Sequence, residues 1–186
     1  MTLLVDIVSK SLSVLVICLL LIIIFFSLYL LIKKITKHSS KFLDKQIKFL
    51  KNNALLLVFI IALISTCGSL FFSEVAGIEP CKLCWFQRIF MYSQAAILAS
   101  ALYFKRKDFQ YYTLPLSIIG ILISIYHNIG IFTYQSTVTL CSASGPSCFV
   151  GYLTIFGFIN IPIMAFTGFL GIISLSFLNL KHDKYR

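Results

Sequence analysis

Charge is scarce in this chain. Of its 186 residues, 12% are Asp, Glu, Lys or Arg, against 59% hydrophobic and 15% aromatic positions. A water-soluble domain of this size needs far more polar surface, so that class is excluded. A mean hydropathy of +0.96 points to an integral membrane protein. Internal repeats are absent, and no stretch reads as a soluble domain. The first apolar run also lacks a basic start and a small-residue cleavage site. At roughly 21 residues it is long for the core of a signal peptide, so it reads as a retained helix. The formal charge of +10 would suit a nucleic-acid partner. Its placement argues against one: the lysines gather at the ends of apolar runs, where membrane topology requires them.

What the chain does have is apolar runs of about 20 residues, each long enough to cross a bilayer as a helix. They are Leu12–Ile32, Ala54–Phe72, Leu83–Phe104, Tyr111–Phe132 and Tyr152–Leu180. Backbone groups in lipid must find partners internally, which makes helices the default. The expected fold is therefore all-α and integral to the membrane. A four-helix transmembrane bundle carries one additional N-terminal transmembrane helix. The expected units are 1–53, an N-terminal helix with a basic linker; 54–180, the four-helix domain; and 181–186, a basic tail. The last run exceeds the bilayer, so it either tilts or leaves the hydrocarbon at one end. The basic segment His38–Asn53 has Leu43, Ile47 and Leu50 at helical spacing. It reads as a solvated linker, with an amphipathic helix on the anionic inner leaflet as the alternative.

Thirteen of the sixteen basic residues fall in 33–51, 105–107 and 181–186, all on one side if the helices alternate. The positive-inside rule then puts the N-terminus out and the C-terminus in. The opposite side holds two polar loops, near Ser73–Lys82 and Thr133–Gly151. Four of the six cysteines lie there: Cys81, Cys84, Cys141 and Cys148. An outward-facing oxidising compartment permits disulfides.

Cys81-Lys82-Leu83-Cys84 follows Pro80, which suits a helix entry. The pair falls in a first helical turn, where the N-terminus and nearby cations favour thiolate. Cys-x-x-Cys is a redox spacing and also a zinc spacing. Arg88 follows at i+7 from Cys81, so the three share one helix face. An arginine inside a membrane helix is costly and marks function by default; its bland reading is snorkelling to the headgroups. His127 sits at matching depth on the next helix, roughly 7–8 Å below the outer surface by helix rise. It either exchanges a proton beside the thiols or only bonds a neighbouring helix. Gln87 points about 100° away from Arg88 and reads as interhelical packing. Cys141 and Cys148 flank a Gly145-Pro146 turn, which can bring them together in a small exposed disulfide loop. Such a loop is either a structural staple or a disulfide poised for exchange with another protein. Cys18 and Cys67 lie within apolar runs and read as small hydrophobes.

Pro-Cys-x-Leu-Cys-Trp-Phe-Gln-Arg at 80–88, followed by Met91-Tyr92, resembles the DsbB/BdbC family of thiol–quinone oxidoreductases. The outward pair Cys141/Cys148, Tyr126-His127 and Ile161-Pro162 strengthen the likeness to BdbC-type members. The resemblance covers about Ala54–Leu180. It implies a bacterial cytoplasmic-membrane enzyme that reoxidises a DsbA-like thioredoxin-fold protein. By that resemblance Cys141 makes first contact, Cys148 resolves the mixed disulfide, and electrons pass through Cys81/Cys84 to ubiquinone or menaquinone near Arg88 and His127. Gln87 replaces an acid of the enteric form, and the cysteine spacing in the second loop is tighter. The N-terminal helix exceeds the family's usual four; it either docks the partner or aids insertion. A vitamin-K-epoxide-reductase-like enzyme would carry its loop pair before the membrane Cys-x-x-Cys, the reverse of the order here. Four outer cysteines could also hold zinc, or form two structural staples in a non-enzymatic scaffold. The second spacing is loose for zinc and the compartment is oxidising, the scaffold leaves Arg88 without a role, and no metal is expected.

Overall fold

The computed structural model describes residues 2–36, 40–106, 108–133, 154–155 and 157–183. These residues form six α-helices: α1 Thr2–Thr36, α2 Lys41–Asn52, α3 Ala54–Leu70, α4 Lys82–Tyr103, α5 Gln110–Thr133 and α6 Ile161–Asp183. A π-helical turn, Phe71–Val75, extends α3. The one β feature among them is an isolated bridge between Ile155 and Ile159.

Four helical stretches are long and apolar enough to cross a membrane: Leu3–Ile35, Ala54–Val75, Gln110–Thr133 and Ile161–Leu180. They make this a multi-pass membrane protein. With 22 residues α4 has the length, about 33 Å at 1.5 Å per residue. Its hydropathy is lowered by Lys82, Gln87, Arg88 and Gln94. The polar face is turned inward, since Gln87 and Gln94 are buried.

Three boundaries differ from the sequence expectation. The first helix runs well past both ends of Leu12–Ile32, because the flanking Ser, Lys and Thr residues continue an α-helix without a breaker. The last helix begins at Ile161 rather than Tyr152. Gly157 adopts φ +79°, which ends helical geometry, and Asn160 then caps the new helix, its Oδ1 accepting from Ile163 N at 2.9 Å. The linker reading of the basic segment is overturned, since α2 is helical from Lys41. Its apolar residues take it onto the bundle: Ile47 is buried, and α2 packs on α6 and α3. Asp44 of α2 accepts hydrogen bonds from Lys33 and Tyr29 of α1, which ties these two helices at their basic end.

Helices α3, α4, α5 and α6 form a closed ring of neighbours, α3 on α4, α4 on α5, α5 on α6 and α6 on α3. Their shared core includes Val58, Ala62, Leu98, Phe169 and Ile172. Polar pairs cross it at close range. Ser117 Oγ of α5 donates to Gln94 Oε1 of α4 at 2.8 Å, and Thr113 Oγ1 meets Ser176 Oγ at 3.3 Å between α5 and α6. Such pairs fix helix register where surrounding lipid offers no partners. Helix α1 lies on α6.

At Gly120 the α5 backbone comes so close to α6 that a Cβ would stand 2.4 Å from the Phe169 ring. Gly120→Ala therefore forces the ring or a whole helix to shift. Overpacking of this kind costs about 1–3 kcal/mol. We expect a lower thermal unfolding midpoint in detergent, largely restored by the second change Phe169→Leu. An unchanged midpoint for Gly120→Ala would show that the two helices do not meet there.

Candidate active site

The site begins with the geometry of one turn. After the π turn, Gly77 takes φ +67° and lets the chain double back toward α4. Cys81 then occupies the N-cap of α4 in extended conformation, φ −68° and ψ 169°. Its sulfur accepts from Cys84 N at 3.3 Å, in the position where a Ser or Asp oxygen would normally sit. Unbonded N–H groups and the helix dipole converge at this point and favour negative charge on sulfur.

The Cys81 and Cys84 Sγ atoms are 2.8 Å apart, with no disulfide joining them in this structure. The Cys81 thiol is pushed up to about 12, first by its hydrogen bond with Cys84 and then by burial; the contact with His127 pulls the other way.

His127 of α5 is 1% exposed. Its Nε2 lies 3.8 Å from Cys81 Sγ, and its Nδ1 lies 3.3 Å from Gln87 Nε2. With the Gln87 amide donating to Nδ1, the imidazole carries its own proton on Nε2, aimed at the sulfur.

Arg88 reaches the other way. Its Nη2 donates to the Ser69 carbonyl of α3 at 3.0 Å, and its guanidinium lies 5.5 Å from the Trp85 ring centroid. Tyr92 OH donates to Ser69 Oγ at 3.3 Å, so both α4 side chains clasp the end of α3 just before its π turn. π turns are frequent at functional sites. The ion pairs among the described residues involve Asp6, Asp44 and Asp108; none is at Arg88.

Cys81, Cys84, Gln87, Arg88 and His127 all line one cavity of about 380 Å3. Their end is polar. Away from it the walls are almost wholly aliphatic, from α1, α3 and α6, with Met91 of α4. A molecule with a polar ring and an apolar chain fits such a space; a small hydrophilic one does not. The sulfur and nitrogen donors of Cys81, Cys84 and His127 also lie within 4.8 Å of one another, a group able to hold a metal ion.

The structure therefore brings together four residues that the sequence singled out: Cys81, Cys84, Arg88 and His127. Cys141 and Cys148 lie outside the described residues. Sequence reasoning missed Gln87. Its 100° offset from Arg88 was read as mere packing, yet that offset lets one helix serve two neighbours, Arg88 on α3 and Gln87 on α5. Cys18 and Cys67 are both exposed; Cys18 also lines the cavity, from α1, and Cys67 does not.

The hydrogen bonds around Cys81 predict opposite shifts on substitution. Cys84→Ala removes the main cause that raises the Cys81 thiol, so Cys81 titrates lower and is alkylated at lower pH. His127→Leu removes a stabiliser of the thiolate, so Cys81 titrates higher still. Alkylation of the reduced protein followed by mass spectrometry across pH 6–11 (about the thiol range) measures both. A His127→Leu profile shifted to lower pH would show that the imidazole does not serve the sulfur.

No solved structure matches this chain. Curated relatives do. A probable disulfide formation protein C 2 of Bacillus anthracis is 43% identical over 118 residues, covering 62% of this chain and 83% of the relative. A probable disulfide formation protein of Oceanobacillus iheyensis is 42% identical over 133 residues, 70% of this chain and 91% of its own. The disulfide bond formation protein C of Bacillus subtilis is 40% identical over 125 residues, 67% and 90%. The sequence profile of the family described as disulfide bond formation protein DsbB matches residues 51–181, which include α3 to α6 and every described residue of the thiol site except the α1 wall. With more than two thirds of its length inside that match, the chain belongs to the DsbB family.

Proposed function

We propose that this protein is a membrane thiol oxidoreductase that makes disulfides for an extracytoplasmic thioredoxin-fold partner of the DsbA type and passes the electrons to a membrane quinone, ubiquinone or menaquinone. One observation carries this reading. The reactive pair Cys81/Cys84, a cationic Arg88 and a buried His127 share the polar end of a single cavity whose other walls are apolar. Membership of a disulfide-forming family supports the thiol half of the chemistry.

The electron route runs inward. Cys141 and Cys148, as a disulfide, take two electrons from the partner's dithiol: one partner sulfur attacks Cys141, Cys148 leaves as thiolate, and the partner's second sulfur releases Cys141. The reduced loop pair then reduces the Cys81–Cys84 disulfide by the same exchange. The quinone supplies the final oxidising step, accepting two electrons and two protons. Arg88, one turn deeper on the same face, places fixed positive charge where electron density arrives. His127, whose Nε2 proton Gln87 directs at Cys81, donates a hydrogen bond that stabilises the sulfur as its proton leaves.

The charge pattern supports a bacterial cytoplasmic-membrane location with the N-terminus and both cysteine pairs outside. We place α4 across the membrane with the four more apolar helices, as the polar-cored member of a 54–180 bundle; 1–53 and 181–186 flank it.

One observation favours a second reading. The Cys81, Cys84 and His127 donors would suit zinc, which binds such sulfur and nitrogen sets. The same experiment separates the two. Purified protein is expected to oxidise a reduced DsbA-like protein only when quinone is added, and to contain no stoichiometric metal. Cys84→Ser stops turnover with the fold retained. Arg88→Gln raises KM for quinone by about tenfold, the loss of one charge-assisted contact, and leaves KM for the protein partner near its original value. Turnover by Cys84→Ser, or one zinc per chain, would sink the oxidoreductase route.

A further inference from the structure

The N-terminal helix lies outside the family match at 51–181, and the described thiol chemistry makes no use of it. Yet α1 lines the same cavity. Leu12, Val16 and Leu19 stand on it, and they continue a buried stripe that starts at Ser9 and Ser13. The stripe follows the i, i+3, i+4, i+7 spacing of one helix face.

The seat for this face is built from small residues. A Cβ on Gly68 of α3 would stand 3.2 Å from Leu12 Cδ1, and one on Gly171 of α6 would stand 3.4 Å from Leu19 Cδ2. Glycines at such points let helix backbones approach closely. These two contacts also give direction. Leu12 is level with Gly68, near the thiol end. Leu19 is level with Gly171 and Ile61, ten residues of α6 beyond Ile161. The cavity therefore runs roughly 15 Å down the bundle from its polar end, by helix rise, with α1 antiparallel to α3 alongside.

We propose that α1 is the wall against which the alkyl or isoprenoid chain of the quinone lies, and that Val16 and Leu19 set which side chains the site accepts. The proposal deepens the quinone reading and rests on it. The polar end holds the groups that would face a redox ring, and α1 contributes none of them. What α1 adds below that level is aliphatic surface with one thiol, Cys18, which suits the apolar part of a ligand. A helix serving insertion alone would need neither a buried stripe nor glycine seats opposite it.

The test uses the full chain in lipid nanodiscs. Binding is read by quenching of Trp85, the chain's one tryptophan, whose ring lies beside Arg88. The probes are benzoquinone and naphthoquinone rings, each without a side chain and with a decyl chain. Val16→Phe and Leu19→Phe fill the channel; we expect about tenfold weaker binding of the decyl forms, equivalent to roughly two buried methylenes. Binding of the bare rings stays unchanged, which also shows that these variants fold. Leu19→Ala widens the wall and weakens only the decyl forms. Leu21→Phe, the same kind of change on the lipid-facing side of α1, has no effect. Wild-type binding with no effect of the Phe variants, or with equal weakening of bare and decyl rings, overturns the wall while leaving the quinone reading in place. Absence of any ring binding by the wild type removes both.

Discussion

A helix that presents Cys81, Gln87, Arg88 and Gln94 cannot give that side to hydrocarbon. Every polar group there needs a partner from protein. The rest of the architecture follows from enclosing α4. Helix α3 supplies the Ser69 carbonyl and hydroxyl for Arg88 and Tyr92, α5 supplies His127 and Ser117 for Gln87 and Gln94, and α6 closes the ring. Interhelical hydrogen bonds of this sort contribute only about 1 kcal/mol each in membranes. Their main effect is on register. Sliding α4 by one turn would strand two amides and a guanidinium at once.

That enclosure also divides the labour of the site. Residues one position apart on α4 face different neighbours, so Arg88 is held against α3 and Gln87 holds the imidazole of α5. Arg88 is held by a neutral carbonyl and an aromatic face, neither of which cancels its charge. Among the described residues no carboxylate forms an ion pair with it. His127 is held by an amide instead of an acid. A carboxylate at position 87 would accept a hydrogen bond from Nδ1, whereas the Gln87 amide donates to Nδ1 and directs the ring N–H to Nε2.

Much of this was legible in the residues. Helix-length apolar runs, the lysine-rich ends, the shared face of Cys81, Cys84 and Arg88, and the depth of His127 all follow from rise, period and charge, which are local. What stayed hidden depends on which helix neighbours which. Periodicity shows that Gln87 and Arg88 diverge, but not that α5 stands on one side and α3 on the other. The start of α6 was misjudged because Tyr152–Asn160 is as apolar as the helix after it. Only a positive-φ Gly157 and the Asn160 cap separate the two. The helical state of α2 is hidden in the sequence because four lysines are interleaved with its five apolar residues, of which Ile47 is the buried one. The Cys141–Cys148 loop lies outside the described residues, and its role stands on sequence and resemblance.

The N-terminal helix bears on how such a site can change. A redox ring must meet the same sulfur, cation and imidazole in any lineage that uses this chemistry, which constrains α4 and α5 tightly. The chain attached to the ring has no such requirement and contacts only aliphatic surface. Adding a helix at that surface alters the apolar end of the cavity without touching the reacting atoms. Its attachment is correspondingly separate. Two glycine seats hold it beside the cavity, and the Lys33, Tyr29 and Asp44 contacts hold it at the opposite end. On the proposed reading the tail contacts and the thiols lie on different helices of one chain, and substitutions in α1 are expected to alter the first while the thiol geometry of α4 is unchanged.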